Sequence, residues 1–113
     1  MRQNKSMWSD QGRESHKQLL RELNEERAAA LRRISGTLES LIRQLHASRE
    51  RVRQVSGAER DREVAKLRDL RARALEYRWY LEVQREALGL RQHRVLDEVY
   101  PMPAPLELEA SGR

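Results

Sequence analysis

Val55-Ser56-Gly57-Ala58-Glu59 is the stretch whose reading decides the fold of this chain. On its N-terminal side, Leu31, Ile34, Leu38, Leu41, Leu45, Ser48, Val52 and Val55 follow at alternating gaps of three and four, the spacing of a helix seam. Continued past Val52, that seam falls on Glu59, Lys66 and Arg73. The apolar residues beyond the stretch instead occupy Leu67, Ala74, Leu81, Leu88 and Val95, one residue out of phase. A single helix would need a skip where Ser56-Gly57 sits. Local chemistry supplies a break there. Ser56, with Glu59 three residues on, has the form of a capping box, and Gly57 can take the left-handed conformation that closes the preceding helix. The expected fold is all-α, an antiparallel hairpin of two long, coiled-coil-like helices hinged at residues 56–57. One continuous rod is the alternative.

The first helix is expected over about residues 15–55. Ser9 and Ser15 both have N-cap chemistry, and Ser15 has the better signature because Gln18 follows at the capping-box position. Gly12 weakens an earlier start by about 1 kcal/mol. Residues 1–14, with Trp8, then read as a flexible arm. Leu20 and Leu23 lie upstream of the seam, but strict register calls on Asn24 and Arg27, so the seam shifts before Leu31. Ala28 to Ala30 in that span permit close approach of another helix. The heptad runs straight across Ser35-Gly36 and puts Gly36 on the solvent face, so the helix is kept whole. The second helix is expected over residues 57–99, weakened but not ended by Gly89 and stopped by Pro101. Residues 100–113, with Pro101, Pro103 and Pro105, read as an extended or disordered tail.

The second helix is apolar on two sides. Leu67, Leu70, Ala74, Tyr77, Leu81, Leu88 and Val95 form the face assigned to the hairpin. Leu75, Trp79, Val83 and Leu90 form another, and at about 100° per residue Trp79 points away from Leu81. One antiparallel neighbour cannot cover both, so a second is expected over residues 72–90. A homodimer of hairpins forming a four-helix bundle supplies it most simply. Three of the five aromatic residues lie in Tyr77-Arg78-Trp79-Tyr80, in a chain with no Phe, and Trp, Tyr and Arg dominate interface hot spots. The candidate protein interface is therefore Leu75, Tyr77, Trp79, Tyr80, Val83 and Leu90.

Composition bounds the rest. At 113 residues, 36% charged and 38% hydrophobic, the chain is one domain of solvated helices with narrow apolar seams. Its mean hydropathy is −0.93. Two helices bury only a stripe each, which favours association. There is no cysteine, hence no disulfide framework and no thiolate chemistry. Met1 to Gly12 contains no apolar core of a secretory signal, and no stretch approaches the roughly 20 apolar residues of a membrane span. The expectation is a cytoplasmic protein. His16, His46 and His93 lack a neighbouring ligand motif, and no Glu-x-x-His pair, phosphate loop or activated nucleophile occurs. No enzyme, cofactor or metal is expected.

The formal net charge is +5. Residues 43–78 hold 11 basic and 6 acidic side chains and so carry the whole excess. A hairpin gathers that excess around the hinge, with Arg49, Arg51, Arg53, Arg60 and Arg62 nearest the tip. Glu50, Glu59, Asp61 and Glu63 are interspersed, the ordinary pattern of intrahelical ion pairs. The expected function is a non-enzymatic adaptor or scaffold that self-associates and presents its hinge or tail to a protein partner. Alternatives are a nucleic-acid accessory protein using the arginine tip, or an export-chaperone-like binder.

Overall fold

The structure, a computed structural model, describes residues 9–105. It is a helical hairpin with a short returning segment: α1 (Asp10–Gln54), α2 (Gly57–Ala87) and α3 (Arg94–Val99). The rod alternative is excluded, because α1 and α2 pack against each other along the length of α2. Reversal falls where the register slip places it. Val55 and Ser56 are extended, and Gly57 sits at φ +62, the left-handed region that glycine enters without steric cost. The capping box is not made. The Ser56 hydroxyl gives no capping bond, and the Glu59 carboxylate accepts from Arg51 of α1 at 2.8 Å instead. An opposite charge across the hinge has outcompeted the local backbone donor.

The seam residues fill the core. Leu38, Leu41, Leu45 and Val52 of α1 interlock with Val64, Leu67, Leu70, Ala74 and Leu81 of α2, and Leu96 of α3 closes the cluster. Each fully buried leucine contributes about 2 kcal/mol from apolar surface removed from water. Leu31, Ile34 and Tyr77 pack at the cluster's margin. α1 passes unbroken through Ser35-Gly36, with Gly36 exposed as expected.

Two boundaries differ from expectation. α1 begins at Asp10, not near Ser15, because the Ser9 hydroxyl accepts from the Gly12 amide at 3.0 Å and Asp10 lies in the positively polarised first turn. Gln18 serves no cap; it pairs along the helix with Glu22 and Arg21. Of the arm expected at residues 1–14, residues 10–14 are thus helical, and 1–8, with Trp8, lie outside the described residues.

α2 ends at Ala87 rather than Val99. Gly89, at φ +88, is a helix terminator: its amide donates to Glu86 O and that of Leu90 to Arg85 O, each at 2.9 Å. This paired pattern is a Schellman motif, which requires a left-handed residue one past the cap. Leu88 is consequently half-buried and Val95 exposed, neither in the α2 seam. With 45 residues in α1 against 31 in α2, the first arm overhangs the second, leaving Leu19, Leu20 and Leu23 uncovered.

The chain then doubles back along the hairpin. Residues 101–105 form no helix and are held against the hairpin rather than loose: Met102 packs against the core, and Arg71 and Arg49 donate to the carbonyls of Pro103 and Ala104. Residues 106–113 lie outside the described residues.

Candidate interaction surfaces

α2 splits its aromatic run: Tyr77 packs against the core on the seam side, and Trp79 faces away from it. Leu75, Trp79, Val83 and Leu90 are 42%, 59%, 40% and 45% exposed. Tyr77 is half-buried and meets Tyr80 edge-on at 5.3 Å between ring centres, while Trp79 lies 5.6 Å from Tyr80 at a tilt. Edge-on and tilted geometries suit the aromatic quadrupole and hold the three rings as a unit. Glu76 accepts from the Tyr80 hydroxyl at 3.0 Å, and this hydrogen bond, with the nearby carboxylate charge, raises the phenol above its ordinary value of 10.0. Leu75, Trp79 and Val83 share this face of α2, whereas Leu90, expected to continue the stripe, lies off the helix beyond the Gly89 turn, and Tyr77 packs against the core.

At the hinge end, the arginines are largely engaged within the chain. Arg51 bridges Glu59 at 2.8 Å and Glu63 at 3.4 Å, Arg53 pairs with Glu50 at 2.9 Å, and Arg49 reaches Ala104 O. Arg60 and Arg62 form no ion pair with another described residue. The tip is basic, but as a lattice of pairs more than a bare cationic patch.

A third feature was not foreseen. Arg71, Arg78 and Arg85 recur every seven residues on α2 and line one side of the hairpin as a ladder. Arg85 donates to Gln92 O at 2.6 Å, Arg78 pairs with Asp97, and Arg71 donates to Pro103 O at 3.1 Å. Their order matches an antiparallel return of the chain, with Arg49 on α1 as the last rung. His93 adds a contact to Glu86 at 3.0 Å. The heptad spacing of the three arginines was the available signal, and it was overlooked because basic residues at that interval read as a solvated face.

The cavities are open surface clefts. One of about 500 Å³ lies beneath α3, walled by Leu31, Ser35 and Gly36 of α1, Leu81 and Arg85 of α2, and Val95 and Val99 of α3. Among the described residues no group of three or more His, Asp or Glu side chains is placed to hold a metal ion. None of the described helices is long and apolar enough to cross a membrane. Comparison with known proteins gives no match: no family model matches the chain, nor does any curated protein or solved structure.

Proposed function

We propose that this chain is a non-enzymatic interaction scaffold, a helical hairpin that pairs with a second copy through α2 and presents its hinge end to a protein partner in the cytoplasm. The observation that carries the reading is the exposed stripe Leu75, Trp79 and Val83 on α2, with Trp79 59% exposed. A large aromatic left in water beside two aliphatic neighbours is the composition of an interface centre. The Tyr80 ring lies against it at 5.6 Å, which reduces the side-chain freedom lost on binding. A symmetric pair crossing at this stripe forms a four-helix bundle over that region.

Sedimentation equilibrium at micromolar concentration tests the reading directly. A dimer is expected for the parent chain and a monomer for Trp79→Glu with Val83→Glu, both with unchanged helix content. A monomeric parent chain overturns it. Nucleic-acid binding through the tip is the weaker reading, since Arg49, Arg51 and Arg53 already have partners in the chain.

A further inference from the structure

Three observations on separate parts of the molecule converge on the segment after α2. First, the heptad does not stop with the helix: Leu88 and Val95 continue the series Leu67, Ala74, Leu81 beyond Gly89. Second, at the open end of the hairpin Leu19, Leu20 and Leu23 are 61%, 46% and 40% exposed, because α2 turns back before reaching them. Third, the folded-back position is imperfectly satisfied. Arg78 Nε, Arg85 Nε and His93 Nδ1 are buried without a hydrogen-bond partner among the described residues, while Val95 and Val99 stay 42% and 57% exposed.

We propose that residues 88–99 are a two-position element. In one position, Gly89 turns the chain back and the arginine ladder grips it. In the other, the Gly89 turn winds into helix and α2 continues through Val99. Carrying the Ser48–Glu63 register outward then sets Leu88 beside Leu23 and Val95 beside His16. The extension covers the leucines that the folded-back form leaves bare. It also returns the unpaired nitrogens of Arg78 and Arg85 to water, and it withdraws α3 from the cleft walled by Leu31, Ser35 and Leu81. The hairpin thereby exchanges a covered groove and a bare end for an open groove and a covered end. A fold of this kind responds to any ligand that binds the two positions unequally.

Gly89 sets the balance. Its φ of +88 is strained for a residue with a side chain, whereas alanine favours the helix over glycine. Gly89→Ala should therefore raise the extended population at least about fivefold from helix propensity alone. Because the chain has no cysteine, introduced pairs carry spin labels without background. Labels at Lys17→Cys and Arg94→Cys approach only in the extended position; labels at Ser35→Cys and Val99→Cys approach only in the folded-back one. Pulsed electron-paramagnetic-resonance distances are read in the full chain diluted with unlabelled copies. The background is the parent, Gly89→Ala or Arg85→Gln; the last cuts an anchor while leaving the turn intact. A gain of the short Lys17–Arg94 distance in either variant supports the proposal. Its absence from both, with Ser35–Val99 still short, overturns it.

Discussion

Ser48 donates its hydroxyl to Glu63 Oε2 at 2.7 Å across the hairpin seam, and both residues are buried. The pair is a polar rung in an otherwise apolar ladder, and Arg51 closes it from outside at 3.4 Å from the second carboxylate oxygen. Such a rung fixes register, because a shift of either helix strands the carboxylate among leucines. Ser48→Ala removes the donor while leaving Glu63 in place, and it should cost about 1–3 kcal/mol in urea unfolding. Adding Glu63→Leu should recover most of that loss, since a well-packed apolar pair is often as stable as a buried polar one. A double variant no more stable than Ser48→Ala would show that Glu63 contributes through its ion pairs with Arg51 and Lys66 instead.

Core and surface leucines should separate cleanly. Leu38 is fully buried between the helices, and Leu38→Ala should destabilise by about 2–5 kcal/mol through lost burial and the cavity left behind. Leu75→Ala, on the outer face, should change the stability of the dilute monomer by no more than about 0.5 kcal/mol. Equilibrium unfolding of the two variants at low concentration makes the comparison. Equal effects would contradict the packing.

The returning segment is anchored by few bonds, so cutting two of them together should loosen it alone. Arg71→Ala with Arg49→Ala removes the donors to Pro103 O and Ala104 O. The Met102 methyl resonance should then move towards its solvent-exposed position, while the Leu38 and Leu45 methyls stay where they are. A Met102 signal that does not move would mean that apolar packing, not the arginines, holds the segment.

The Tyr80 phenol, raised by its hydrogen bond to Glu76 and by that carboxylate's charge, should ionise above 10.0 in the folded chain. Folded protein holds this proton more tightly than unfolded protein does. The stabilisation is therefore complete below the ordinary tyrosine value and is lost as pH rises through the folded one. The ultraviolet absorbance of the phenolate, taken as the difference from Tyr80→Phe, measures the midpoint. Glu76→Gln should bring it back towards 10.0.

What the sequence disclosed follows from the physics of each signal. The seam from Leu38 to Val52 and its partner face were readable because burial repeats with the helix period, and the hinge because two periods met out of phase. Gly89 was misread because heptad continuity and a terminating glycine gave opposite answers, and continuity was given the greater weight. The backbone settled the matter through two Schellman hydrogen bonds that no periodicity encodes. Ser9 was passed over because its capping partner is only the Gly12 amide, with no side chain to announce it. The Ser48–Glu63 rung was half visible, since Ser48 marked the seam's polar position. Its mate depended on the pairing of the two helices, which neither helix carries alone.

The position of the aromatic stripe relative to the hinge has a geometric corollary. Trp79 and Val83 lie on α2 some distance from Gly57, where the helix starts. At about 1.5 Å per residue, that is roughly 35 Å of rigid helix between the stripe and the turn. Two copies joined by a two-fold axis through the stripe, with their α2 helices antiparallel, would carry their hinges outward in opposite directions, about 70 Å apart. The pair would then be a bivalent gauge. A target offering two matched sites at that separation gains from the second engagement, and one with closer or wider sites is held by a single end.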